Sequence, residues 1–231
     1  MNVIMLEELE PLFQSTTIKP TFEKVHIILA LFIFEQNKEG IGRYRLQKEL
    51  LIGSGTARSL IKKLNKIINF ITVLTDENKR KGHILTKKGL AFLKKIKAKI
   101  PLIEEGDLSI LKEIIIESEK INPYICQVKN SVHKITNGIA QRDAAIKING
   151  TGATCLIYNG KNLVFPEKSL PEDDKQHWKV SERLDKYFKT FHIKNMGISL
   201  NLERGDVIII GLGDNIKKAR LAALNAALTL I

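Results

Sequence analysis

In the first hundred residues, apolar positions recur at steps of three and four, the period of an amphipathic helix. Val25, Ile28, Leu29, Phe32 and Ile33 predict a helix over 22–36 that starts after Pro20-Thr21 and stops at Asn37-Lys38-Glu39-Gly40. Leu46, Leu50 and Leu51 predict a short second helix over 43–51. Ala57, Leu60, Ile61, Leu64 and Ile68 form one stripe of a third helix over 56–68, with Gly53-Ser54-Gly55 read as the turn between them. Two short extended runs follow, over 70–74 and 83–85, separated by the polar turn 75–82 with Lys79-Arg80-Lys81 at its tip. Thr86 is placed to cap a fourth helix over 87–99, with Leu90, Leu93 and Ile96 inward and Pro101 as its stop.

Beyond residue 106 the pattern mixes strands and helices. The stretch 107–119 fits a helix through Leu108, Leu111 and Ile115, and a strand through its EIIIE run. Strands are predicted over 124–128, 153–158 and 161–165, with Asn159-Gly160 as a hairpin turn. Helices are predicted over 139–149, ended by Gly150, and over 182–191 and 216–230. Asp206–Ile210 is apolar after its first residue, as a central strand requires. The expected fold class is α+β, with a helical first domain over 20–100 and a mixed α/β second domain over 107–231.

Charge separates the same two regions. Residues 41–100 hold 16 lysines and arginines against 3 acids, whereas 101–231 hold 18 basic and 16 acidic residues. One quarter of the chain therefore carries the net charge of +12, and such a single-sign patch attracts polyanions. Two cysteines, Cys126 and Cys155, exclude a disulfide framework and suit a reducing cytosol. The acidic start MNVIMLEELEPLF lacks the positive region of a signal peptide, and the apolar run 25–34 is too short to span a bilayer. A cytoplasmic protein without a membrane partner is expected.

The stretch LIGSGTARSLIKKL admits two readings. A phosphate loop needs a strand before it and the spacing Gly-x4-Gly-Lys-Ser/Thr; Gly53 and Gly55 lack both. A helix-turn-helix needs only a tight turn between two helices, the second of which enters a DNA major groove. With the stripe inward at about 100° per residue, Gly55, Ser59, Lys62 and Lys66 point outward, flanked by Thr56, Arg58 and Lys63. These residue types contact phosphates and base edges. The helix start near Ser54–Thr56 adds a partial positive charge. An amphipathic helix with a solvated lysine face is the competing reading of this helix taken alone.

The stretch 43–64, followed by Lys81-Gly82-His83-Ile84-Leu85-Thr86-Lys87-Lys88-Gly89-Leu90, resembles the winged helix-turn-helix of prokaryotic transcription regulators over residues 20–99. The resemblance implies double-stranded DNA as partner. It places Arg58, Ser59, Lys62 and Lys63 on a recognition helix and Lys79, Arg80 and Lys81 on a wing. The full candidate set is Arg43, Ser54, Thr56, Arg58, Ser59, Lys62, Lys63, Lys66, Lys79, Arg80 and Lys81. Residues 138–147, followed by Gly152-Ala153-Thr154 and ending in Gly205-Asp206-Val207-Ile208-Ile209-Ile210-Gly211, resemble the C-terminal domain of an uncharacterised archaeal winged-helix family. That second resemblance implies a two-domain layout and no chemistry.

Weaker candidates lie in the second half. Gly211-Leu212-Gly213 is half of a dinucleotide fingerprint without its third glycine, because position 216 is isoleucine. A small-molecule effector site could use Gly211, Gly213 and Asp214, or an Arg142-Asp143 clamp; a turn and an internal ion pair are the structural alternatives. The small face Ala219, Ala222, Ala223, Ala226 and Ala227 predicts close packing on a sheet, or a homodimer contact. The five histidines, at 26, 83, 133, 177 and 192, show no metal spacing. No cofactor, metal or catalytic group is expected. The expected function is sequence-specific DNA binding by a transcription regulator with an effector or dimerisation domain. The alternative is an enzyme or small-molecule-binding protein acting through the C-terminal domain, with the winged helix making protein or RNA contacts.

Overall fold

The computed structural model describes residues 6–14, 20–76, 79–115, 120–166, 179–191 and 200–231. The chain forms two units, Met1–Lys97 and Ala98–Ile231.

The first unit is built on α1 (Lys24–Gln36), α2 (Arg43–Leu50), α3 (Ser54–Lys66), the antiparallel pair β1 (Ile71–Asp76) and β2 (Lys79–Leu85), and α4 (Lys87–Lys99). Helix α1 is buried on nearly every side, from Val25 to Phe34, which is why its sequence is almost continuously apolar. It begins with a reciprocal cap: the Glu23 side chain accepts from the backbone of His26, and Glu23 N–H donates to His26 Nδ1 at 2.9 Å. Thr86 caps α4 as expected, its Oγ1 accepting from Gly89 N–H at 3.1 Å. Helix α4 buries Gly89, Phe92, Leu93 and Ile96, while Leu90, expected inward, is 46% exposed. Gly89 takes its place at the crossing, where a Cβ would stand 2.1 Å from the Phe70 carbonyl oxygen.

The turn before α3 differs from expectation. Its left-handed residue is Leu51, at φ 54°, and neither Gly53 nor Gly55 adopts a positive φ. Gly53 is the residue that precedes the helix, and Gly55 lies within its first turn.

The second unit is a five-stranded sheet in the order β3-β4-β7-β5-β6, made of β3 (Leu102–Glu105), β4 (Asn122–Val128), β5 (Gly152–Tyr158), β6 (Leu163–Val164) and β7 (Val207–Gly213). Every pairing is antiparallel. The apolar β7 is central, as its sequence predicts. Strand β3, from the stretch between the two expected domains, carries Glu104 and Glu105 and holds an edge position where one face can stay polar. Helices α5 (Leu108–Leu111) and α7 (Glu182–Lys189) share a core with Ile125, Leu156, Ile208 and Ile210 on one face. Helices α6 (Ile139–Lys147) and α8 (Ile216–Leu228) are the other α-helices among the described residues, and α8 covers the other face of β7. Asn149, at φ 65°, rather than Gly150 makes the left-handed exit from α6. Gly150 is needed instead because a Cβ there would meet Ala222 Cβ at 2.5 Å.

Helix α8 sits flush on β7. A Cβ at Gly211 would lie 2.1 Å from Ala223 N, and one at Gly213 would lie 2.5 Å from Ala219 N. The alanines 219, 222, 223, 226 and 227 are fully buried by this contact. The stripe is therefore covered within the chain, as the packing reading of its small residues expects.

At the edge of this face, Asp206 is a buried carboxylate with every partner in place. Its oxygens accept from Gln127 Nε2 at 2.7 Å, Lys129 Nζ at 3.0 Å, Asn130 N–H at 2.9 Å and Glu203 N–H at 2.9 Å. A buried charge is tolerated when its hydrogen bonds are complete.

Two outcomes follow. Gly211→Ala is expected to lower unfolding free energy by roughly 2–3 kcal/mol in a urea titration, because the rigid backbone of α8 must retreat. Burial holds the His26 imidazole below its ordinary pKa of 6.5. The protein is thus fully stable above that value and loses stability as pH falls through it, because the protonated ring cannot accept from Glu23 N–H. Unfolding free energies from urea titrations at pH 7.5 and 5 should differ by about 1 kcal/mol, the size of a lost cap, and His26→Asn should remove most of the difference.

Candidate nucleic-acid interface

Helix α3 buries Ala57, Leu60, Ile61 and Leu64. That burial fixes which side chains face outward. Arg58, Lys62 and Lys66 are exposed, and among the described residues none of them makes an ion pair. The acids near the start of the chain are used elsewhere: Glu10 holds Lys24 and Glu8 holds Lys95, each at 2.6 Å.

Three elements converge beside α3. Ile41 pairs with β2 as a third short strand, its N–H donating to the His83 carbonyl at 3.1 Å and its carbonyl accepting from His83 N–H at 3.0 Å. Gly82, at φ 120°, makes this approach feasible, since a Cβ there would lie 2.7 Å from the Ile41 carbonyl carbon. The bridge carries the start of α2, with Arg43 and Tyr44, to the side of α3. An open groove of about 440 Å³ results, lined by Arg43, Tyr44, Arg58, Ile61, Lys62, Asn65, Lys66 and His83. No carboxylate lines it. The Arg43 guanidinium lies 4.9 Å from the Tyr44 ring centroid, and Arg43 Nε is buried without a hydrogen-bond partner.

The groove gathers four of the eleven residues expected from sequence: Arg43, Arg58, Lys62 and Lys66. Ser54 lies exposed on the first turn of α3 and Ser59 half-buried along it. No side chain caps that helix start, and a Cβ at Gly55 would meet nothing within 4 Å. The first backbone N–H groups are thus open to an anion. Two expected residues are engaged within the fold. Lys63 Nζ donates to the carbonyls of Leu12 at 2.7 Å and Gln14 at 3.1 Å, and Thr56 Oγ1 is 2.6 Å from Thr21 Oγ1. Lys79, Arg80 and Lys81 are in β2 rather than in a turn. Lys79 stands opposite Asp76 and Arg80 opposite Thr75, and Lys81 falls at the register shift. Their side chains lie outside the described residues.

Sequence reasoning missed Tyr44, Asn65 and His83. Tyr44 carries a signal that could have found it, being the sole tyrosine of the basic segment and 69% exposed. Asn65 carries one too, following Lys62 on the same helix face, whereas His83 carries none, because only tertiary packing brings β2 to α3.

The second-half candidates resolve into structural contacts. Gly211 and Gly213 lie beneath α8, where a Cβ would meet the helix backbone. Asp214 accepts from Lys218 Nζ at 2.6 Å, and Asn215 Oδ1 caps α8 through the N–H groups of Lys217 and Lys218. Arg142 and Asp143 pair with each other at 3.0 Å, both more than half exposed. A separate cavity of about 530 Å³ opens where the end of α7 meets the β3–α5 turn, with Glu105, Asp107, Pro123, Tyr187 and Phe191 among its walls. Tyr187 Oη accepts from Asp107 N–H at 3.0 Å, and burial raises its pKa above 10.0. None of the five residues expected for an effector lines this cavity. Among the described residues no group of histidines, cysteines or acids could hold a metal ion, and no helix is long and apolar enough to cross a membrane. His177 and His192 lie outside the described residues.

Comparison with known proteins adds three findings. Residues 23–91 match the family model described as PH0730-like, N-terminal domain. Residues 120–230 match a domain of unknown function, DUF4443. A hypothetical protein PH0730 from Pyrococcus horikoshii OT3 has a similar solved structure. It aligns with a TM-score of 0.60 at 23% identity, covering 90% of this chain and 93% of that one. At that identity the likeness concerns the fold. The matches support the expected likeness to an uncharacterised archaeal family. No curated protein matches the chain.

Gly82→Ala tests how the groove is built. The clash with Ile41 and the positive φ should together cost roughly 1–3 kcal/mol in a denaturant titration. Gly55→Ala, in open space, should be neutral or stabilising by under about 1 kcal/mol.

Proposed function

We propose that the protein binds double-stranded DNA through its N-terminal unit and acts as a sequence-specific transcription regulator. The observation that carries this reading is the groove itself, where four unscreened cations surround an open surface without a carboxylate. Helix α2, the turn 51–53 and α3 have the order of a helix-turn-helix. The β1–β2 pair with Ile41 stands where a wing would stand. Helix α3 is then the recognition helix, its open first turn and Ser54 receive a backbone phosphate, and Arg58, Ser59 and Lys62 reach base edges or adjacent phosphates.

The C-terminal unit serves in this reading as the effector or dimerisation part. The cavity beside Tyr187 and Phe191 is its candidate for a small molecule. For a homodimer, the covered alanines of α8 are replaced by α6, which exposes Ile139 and Ile146 at heptad spacing.

A fluorescence-anisotropy titration with a labelled 20-base-pair duplex tests the reading. Four neutralised phosphates give a logarithmic salt slope of about −4, so affinity should fall roughly two-hundredfold between 50 and 200 mM salt. Lys62→Ala should reduce the slope by about one. Arg58→Ala should reduce it likewise, by about one. Lys63→Ala should leave the slope unchanged and lower the melting temperature, because its ammonium serves Leu12 and Gln14. Absence of duplex affinity at 50 mM salt overturns the reading.

A further inference from the structure

The groove is not uniformly basic, and its uncharged part is specific in kind. Tyr44 presents an aromatic ring that is 69% exposed, beside the Ile61 side chain. The side-chain amide of Asn65, half-buried one turn beyond Ile61, makes no hydrogen bond among the described residues. The hydroxyl of Tyr44 can donate to a phosphate, but its ring face finds no complement in the phosphates that the arginines and lysines serve. That face is complementary to an apolar group delivered by a polyanion. In a DNA major groove that group is the thymine C5-methyl, and the partner adenine of the same pair presents N6–H and N7, the donor and acceptor that an asparagine amide matches.

Resting on the DNA-binding reading above, we infer that this groove reads A·T base pairs. Tyr44 and Ile61 take the thymine methyl, Asn65 pairs with adenine N6 and N7, and Arg43, Arg58, Lys62 and Lys66 hold the flanking phosphates. The Arg43 guanidinium, stacked on Tyr44, keeps the ring in place while its charge faces the backbone. Tyr44 and Asn65 are specificity-determining residues in this account; the cations supply affinity.

Removing one methyl tests this without altering charge or pairing. Anisotropy titrations at fixed salt would compare a 20-base-pair alternating d(A-T) duplex with the same duplex carrying deoxyuridine for thymidine, and with an alternating d(G-C) duplex. The wild type should bind d(A-T) more tightly than d(A-U), by about fourfold for each methyl contacted. Tyr44→Ala should abolish that difference and leave d(A-U) affinity within about twofold. Asn65→Ala should remove the preference of d(A-U) over d(G-C) while retaining the methyl effect. Unchanged thermal melting checks that each variant folds, and the exposure of Tyr44 favours that outcome. Equal wild-type affinity for d(A-T) and d(A-U) overturns this inference and leaves the DNA-binding reading intact. Failure to bind all three duplexes overturns both.

Discussion

The basic surface depends on the burial of one narrow stripe. Ala57, Leu60 and Leu64 have no solvent exposure and Ile61 has 8%. A helix with a single apolar seam has one favourable rotation about its axis. Once that seam is inside, Arg58, Lys62 and Lys66 have no choice but to face water. Lys63 falls at the flank, where carbonyls of the N-terminal segment receive it. Hydrophobic burial therefore decides the placement of charge: the cations are concentrated because the apolar residues are.

The hairpin adds shape to charge. A row of cations on an isolated helix is a solvated face and attracts any polyanion weakly. The Ile41–His83 bridge brings a second wall alongside, with Tyr44 on it. Gly82 is the condition for that wall, since only a residue without Cβ lets β2 approach the Ile41 backbone. The two glycines at the start of α3 do something different. They relieve no strained turn, which Leu51 makes instead, and they leave the helix start bare. The second unit uses glycine in a third way, to seat α8 directly on β7, and thereby spends the residues that resemble a dinucleotide loop on packing.

Much of the fold was legible in the chain. The period of the apolar positions located α1, α3 and α8, and the Asn159-Gly160 turn located the β5–β6 hairpin, where Asn159 Oδ1 accepts from the N–H groups of Lys161 and Asn162. The edge strand β3 escaped because Glu104 and Glu105 give it no apolar alternation. Leu90 was misjudged because a glycine, Gly89, occupies the buried crossing beside it. The cations Arg58, Lys62 and Lys66 were legible because helix period alone sends them outward.

By itself the sequence determined the composition of the surface: which quarter of the chain is cationic, which helix presents it, and which β-strand lies at the centre of the second sheet. These are local properties, set by periodicity and charge within a few turns of chain. The tertiary structure decided what no local pattern contains. It placed Tyr44, Asn65 and His83 on one groove, engaged Lys63 and Thr56 with the N-terminal segment, and seated Gly211 and Gly213 against α8. Each of those outcomes depends on residues distant in sequence meeting at van der Waals or hydrogen-bond range, and long-range contact is settled only when the separate elements pack.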